Sequence, residues 1–341
     1  MIFLGPFDHA ADADKAIPDG LPRVAMLGCT VPCPHDLNTI MAENEPFSES
    51  PVPDPESIFT MIYTSGTTGN PKGVMHAHVT PAHVVPGLAK AMRMDEPGAR
   101  FFSFLPLSHA AERIVIEMTS LYANAEVSFS EKLATFAEEL RSVQPTFFFA
   151  VPRLWVKFKE GVDAKIPPAA QAALTDEQKA GIRKQLGLAN ASRILTGASP
   201  CPKDIQKWYL NMGIILREGY GMTENFIHGS GWVHNDEPIP GCVGRPFDNS
   251  VELWVSDEGE ILFRSKGLMK GYYKNPEKTA EVLDAEGWYH TGDSGRFDDE
   301  GNLWVTGRIG EVFKSSKGKF IQPVALENRF GRSELLAQLC V

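Results

Sequence analysis

Between an apolar run at residues 58–63 and Val74, the chain reads Thr64-Ser-Gly-Thr-Thr-Gly-Asn-Pro-Lys-Gly73, and this segment constrains the fold more than any other. Small hydroxyl residues and glycines let backbone N–H groups converge on an anion without steric obstruction. Thr64, Ser65, Thr67 and Thr68 add hydroxyl donors, and Lys72 adds a point charge suited to phosphate. The composition is that of a loop, and the run before it reads as a buried parallel strand. The pattern GxxxxGK[ST] is absent, so this is not a Walker loop. For a Gly/Ser/Thr run taken alone, a flexible solvent loop is the competing reading.

Around this segment the hydropathy pattern alternates. Strands are expected at residues 100–105, 146–151, 193–196 and 214–216, and helices at 131–141, 167–190 and 203–211. Such alternation predicts an α/β fold with mostly parallel sheets flanked by helices. From about residue 240 the pattern changes to short strands at 251–255, 259–263 and 303–306, joined by Asp/Glu/Gly turns. These predict a small antiparallel β unit. Residues 1–57 are rich in proline and acid with little periodicity beyond a short helix at 36–43. Pro51, Pro53 and Pro55 make an extended linker, because each ring fixes φ and removes a donor. The expected organisation is an N-terminal segment and linker at 1–57, a large domain at 58–308 with its β unit at 240–308, and a hinge and stub at 309–341.

The segment Ser65-Gly-Thr-Thr-Gly-x-Pro-Lys-Gly73 behind a strand resembles the signature of the adenylate-forming (AMP-binding) superfamily, which includes acyl-CoA synthetases, peptide-synthetase adenylation domains and beetle luciferases. The resemblance implies contact with ATP phosphates for Thr64, Ser65, Gly66, Thr67, Thr68, Gly69 and Lys72. Three further strings are similar to the family's in the same order: Glu218-Gly-Tyr-Gly-Met-Thr-Glu224, Tyr289-His-Thr-Gly-Asp293 and Gly307-Arg308. In the second, Tyr220 offers an aromatic face to a purine beside Gly221, Thr223 a hydroxyl to phosphate, and Glu224 a hard carboxylate to Mg²⁺. Asp293 can accept both vicinal hydroxyls of a ribose, and Arg308 can reach ribose or phosphate oxygens. Each string alone is a common turn; four in one order are not. Gly197-Ala-Ser-Pro200 resembles the family's adenine-side loop, which assigns Gly197, Ala198 and Ser199 to the base, with a plain strand-to-helix turn as the alternative.

Leu105-Pro-Leu-Ser-His-Ala-Ala-Glu-Arg113, Val151-Pro-Arg-Leu-Trp155 and Lys314-Ser-Ser-Lys-Gly-Lys-Phe320 are similar to segments of long-chain fatty acyl-CoA synthetases. The resemblance makes His109 a candidate for placing the substrate carboxylate or the acyl pocket; a buried, satisfied histidine is the competing reading. His76 and His78, two apart, would face different ways on a helix, which argues against a metal pair. The implied reaction is ATP-dependent activation of a fatty acid to acyl-AMP and transfer to coenzyme A, with Lys72, Thr223, Glu224 and His109 as catalytic candidates. Acyl transfer to a carrier protein, or a catalytically silent nucleotide-binding fragment, are the alternatives.

The sequence departs from the family at both ends. Only 63 residues precede Thr64, and no lysine follows Lys319, so no catalytic lysine of a C-terminal lid is carried over. Gly310 stands where the family usually has Asp or Lys. The expectation is an incomplete large domain that makes little acyl-CoA by itself.

Composition bounds the partners. The formal charge of −10 repels phosphate backbones and anionic headgroups, which excludes nucleic acid as an expected partner. The five cysteines form no CxxC pair, so neither a disulfide framework nor a zinc site is expected. The N-terminus lacks a basic stretch, and the most apolar interior run, residues 147–156, is broken by Pro152 and Arg153. A soluble, cytoplasmic protein is expected, with peripheral membrane contact for the acyl substrate as a variant of that reading. The oligomeric state is not legible in the sequence.

Overall fold

The computed structural model describes residues 1–5, 10–64 and 70–309, together with the backbone of Phe313–Lys314 and Phe320–Ile321. Ser65, Gly66, Thr67, Thr68, Gly69 and Gly310 therefore lie outside the described residues. The chain divides into two compact units, Met1–Pro53 and Asp54–Val341, with the division among the linker prolines.

The first unit is more ordered than its composition suggests. Strands Ile2–Leu4, Arg23–Ala25 and His35–Asp36 form a parallel sheet in that order. Val24 and Leu4 are buried in it. The helix Leu37–Glu43 begins where Asp36 accepts the Thr39 N–H at 3.1 Å, a side-chain cap of the usual kind.

In the second unit a parallel sheet runs Phe147–Ala150, Arg193–Thr196, Leu216–Glu218, with Arg193–Thr196 central. Arg100–Ser103 pairs in parallel with Glu126–Phe129, and Thr146 N donates to Arg100 O at 3.0 Å beside it. Helices Pro152–Asp163 and Lys203–Asn211 pack on the central sheet around Phe148, Trp155 and Tyr209, each buried. Tyr209 Oη donates to Trp155 O at 2.8 Å, so the burial of its hydroxyl is compensated. Past residue 240, Val251–Val255, Glu260–Ser265, Tyr289–Phe297 and Leu303–Arg308 form a four-stranded antiparallel sheet in that order. The fold is thus α/β with parallel sheets and a separate antiparallel sheet.

Several expectations are corrected. Ile58–Thr64 is not a parallel strand. It forms a hairpin with Lys72–Ala77, Thr64 opposite Lys72, and Gly271–Tyr272 adds a third antiparallel strand. The connection between the two strands is too short for a parallel crossover, which needs a dozen residues or more. Nor is it buried on both faces: Thr60 and Ile62 face inward while Ile58 and Tyr63 are exposed. The helical stretch at 167–190 is two helices, Pro168–Gln171 and Asp176–Gln185, because Thr175 and Gln178 form a reciprocal capping box that starts the second. The helix expected at 131–141 occupies Phe136–Val143, and the strand expected at 214–216 lies at Leu216–Glu218. Residues Ala111–Met118, for which no helix is expected from the pattern, form a π-helix. Among the described residues no helix is long and apolar enough to cross a membrane.

Candidate nucleotide site

The described candidate residues, though scattered from Thr64 to Arg308, all line one cleft of about 1620 Å³ within the second unit. Its parts are built by different devices. Thr64 and Lys72 stand opposite each other where the hairpin leads into the glycine-rich loop, so strand pairing alone fixes the loop's two ends. Gly197 to Ser199 follow the central strand Arg193–Thr196. A Cβ on Gly197 would come within 3.0 Å of Gly219 O, so glycine is what allows the two backbones to lie this close.

Tyr220 and Gly221 follow the strand Leu216–Glu218, and Thr223–Asn225 closes a single 3₁₀ turn. At Gly221 a Cβ would meet the Ile227 backbone at 2.9 Å. The turn is tight: Phe226 and Ile227 take φ values of 54° and 56°, both in the left-handed region. Glu224 O accepts the Met269 N–H at 2.8 Å, and Glu224 Oε1 accepts the Tyr272 hydroxyl at 2.8 Å. The Tyr272 ring in turn lies under Lys72, whose Nζ is 4.9 Å from the ring centroid. A tyrosine thus stands between the cation and the carboxylate. Burial, and then the Glu224 charge, push the Tyr272 phenol upward, so it stays a neutral donor.

Asp293 and Arg308 are brought together by sheet register. They sit opposite each other on Tyr289–Phe297 and Leu303–Arg308, and Arg308 Nε is 2.8 Å from Asp293 Oδ1. Tyr220 Oη donates to Asp293 Oδ2 at 2.6 Å. Asp293 is buried, at 8% exposure, and Tyr220 is held well above the ordinary phenol range by burial first and the Asp293 charge second. The strings containing Asp293 and Arg308 read as turns in the sequence, but both are strand, with a bulge between Ser294 and Gly295. An ionised carboxylate offers about four acceptor sites, so the contacts with Tyr220 and Arg308 are compatible with hydroxyl donors from a ligand.

His109 lines the cleft beside Leu105, Pro106 and Ala110 and is exposed, so the reading of it as a buried histidine does not hold. His76 and His78 are not on a helix. His76 lies in the strand Lys72–Ala77 and is fully buried, with Nε2 2.7 Å from Thr223 O, while the His78 ring packs on Phe59. Tyr272 lines the cleft and His76 bonds the turn that carries Glu224, neither announced by a motif, because only strand pairing and burial bring them there.

The donor set bears on a divalent cation. Among the described residues no group of three or more His, Cys, Asp or Glu could cage a metal, and Glu224 gives Oε1 to the Tyr272 hydroxyl. One hard carboxylate facing a phosphate-sized space fits Mg²⁺, which is commonly held by one or two carboxylates plus substrate phosphates. The described cysteines Cys29, Cys33, Cys201 and Cys242 are unpaired thiols.

Residues 9–273 match the family model described as AMP-binding enzyme. The mouse long-chain-fatty-acid–CoA ligase 5 is 30% identical over 380 residues, covering 100% of this chain and 53% of its own length. The Xenopus laevis long-chain-fatty-acid–CoA ligase ACSBG2 is 33% identical over 315 residues, covering 80% of this chain and 42% of its own. The chain spans about half the length of the curated relatives it matches. ATP-bound MatB from Rhodopseudomonas palustris superposes with a TM-score of 0.79 at 22% identity, covering 97% of this chain and 63% of that one. That likeness is one of fold.

Proposed function

The chain belongs to the AMP-binding enzyme family, and from that membership we propose that it serves an ATP-dependent, adenylate-forming acyl-CoA ligase acting on long-chain fatty acids. The fatty carboxylate attacks the α-phosphorus of ATP, the bond to the bridging oxygen breaks, and pyrophosphate leaves. The thiol of coenzyme A then attacks the acyl carbonyl, AMP leaves and the thiol proton is released. The nucleophile belongs to the substrate in both steps, so the protein's task is positioning and charge stabilisation.

The observation that carries this reading is the convergence of Lys72, Glu224, Tyr220, Asp293 and Arg308 on one cleft. Asp293 accepts ribose hydroxyls, with Tyr220 and Arg308 fixing its carboxylate. Lys72 meets the phosphates. Glu224 is the residue that would hold Mg²⁺, which neutralises phosphate charge when bound. The apolar wall beside His109, formed by Leu105, Ala110 and Val115, suits an acyl chain. The long-chain assignment rests on the names of the relatives.

The test uses the purified chain with ATP, Mg²⁺, coenzyme A and palmitate. A slow palmitate-dependent release of pyrophosphate is the expected result, with palmitoyl-CoA formed at less than about a tenth of the rate of a full-length relative. Pyrophosphate release without palmitoyl-CoA would redirect the acyl group to a carrier-protein thiol. Nucleotide binding with no palmitate-dependent release would overturn the ligase reading for this chain.

A further inference from the structure

We infer that His76 is a positioning residue for Glu224, acting through the backbone carbonyl of Thr223; this rests on the reading of the cleft as a Mg·ATP site. His76 lies on the strand that begins with Lys72, and Thr223 lies 147 residues further on, at the start of the turn that carries Glu224. The imidazole is fully buried, with Nε2 2.7 Å from Thr223 O and its ring edge-on to Phe226 at 4.8 Å.

The tautomer follows from the partner. Burial lowers the His76 pKa to about 4, so the ring is neutral near pH 7. A carbonyl cannot donate, so Nε2 carries the proton and Nδ1 is the bare acceptor. That Nδ1 is buried with no hydrogen-bond partner. A buried unsatisfied acceptor is costly, and leucine would fill the space without it. What the imidazole adds is one N–H aimed at one carbonyl.

That carbonyl controls the direction of Glu224. Thr223 O and the Glu224 Cα share one peptide plane, so fixing the oxygen fixes the line along which Glu224 leaves the turn. Thr223 O also accepts the Phe226 N–H at 3.1 Å. The turn has two consecutive non-glycine residues in the left-handed region, a conformation that persists only where the surroundings over-determine it. His76 is one such restraint and Tyr272 on Glu224 Oε1 is another. Because Lys72 and His76 share a strand, the bond also sets the spacing between the cation and the carboxylate that a metal–triphosphate would span.

The test is isothermal titration of the full chain with AMP, and with ATP in the presence and absence of Mg²⁺. His76→Leu removes the N–H; His76→Gln retains a donor. In the wild type Mg²⁺ is expected to raise ATP affinity. His76→Leu should lose roughly tenfold of that gain, the size of one charge-adjacent hydrogen bond. AMP affinity, which needs no metal, should hold, and His76→Gln should recover most of the loss. A purely structural role would lower AMP and ATP affinity together. A second measurement needs no variant: in ¹⁵N-labelled wild type the His76 Nε2–H should appear as a slowly exchanging proton that shifts with Mg·ATP and not with AMP. An intact Mg²⁺-dependent gain in His76→Leu, equal losses for AMP and ATP, or absence of the Nε2–H signal would overturn the inference. A wild type that shows no Mg²⁺-dependent gain would overturn the Mg·ATP reading first, and this inference with it.

Discussion

The Asp293 carboxylate contacts Tyr220 at 2.6 Å and Arg308 at 2.8 Å. Because AMP and ATP share the ribose, Asp293→Ala is expected to weaken both alike, by roughly tenfold, as loss of hydrogen bonds to a charged group does. A 2′-deoxy analogue should lose correspondingly less on the same substitution. Equal titration curves for wild type and variant with both ligands would assign the sugar to another residue. Lys72 and Glu224 both contact Tyr272, and in the proposed site they would meet the phosphates. Lys72→Ala and Glu224→Ala should each weaken Mg·ATP at least about tenfold, or 1.4 kcal/mol, with AMP little changed. Calorimetric titration separates the two patterns, and unchanged Mg·ATP affinity in both variants would remove the assignment.

At the scale of elements, the strand Leu216–Glu218 ends on a buried acid that supports the loop after Thr196. Glu218 accepts the Cys201 N–H at 2.8 Å and a hydrogen bond from Gln206, which ties the residues after Ser199 to the neighbouring strand. Burial pushes the carboxyl from 4.5 up to about 7, against the opposing pull of those donors. The folded state therefore holds this proton after the unfolded chain has released it. The stability it contributes is full below pH 4.5 and is lost as the pH rises to about 7. Wild type should lose on the order of 3 kcal/mol relative to Glu218→Gln across that window. Urea unfolding of both proteins at a series of pH values measures the difference, and parallel profiles would show that Glu218 does not titrate in this range.

For the whole molecule, the described lining of the cleft lies entirely within Asp54–Val341, while Met1–Pro53 has its own small parallel sheet. Residues 44–57 between them are exposed and without helix or strand, which is where a protease cuts first. Limited proteolysis should therefore release a piece beginning near Asp54 that keeps AMP affinity within about threefold of the intact chain, a change too small to reflect a lost contact. Mass spectrometry of the fragments with titration of the purified piece checks this. Loss of AMP binding on cleavage would mean that the first unit supports the site.

What the sequence determined by itself was the chemistry within reach of a few residues. A glycine- and hydroxyl-rich run ending in Lys72, the acid at Glu224 and the acid at Asp293 announce their donor types wherever the chain takes them. Alternating hydropathy likewise reveals an α/β fold, since each element must bury one face. Only the tertiary structure decided which distant residues meet. Register across two strands sets Arg308 against Asp293, and a hairpin with a third strand brings Tyr272 between Lys72 and Glu224. Burial makes His76 a neutral donor to a turn 147 residues away. The reason is physical: donor chemistry is a property of a side chain, whereas pairing register, strand direction and desolvation are properties of the packed whole.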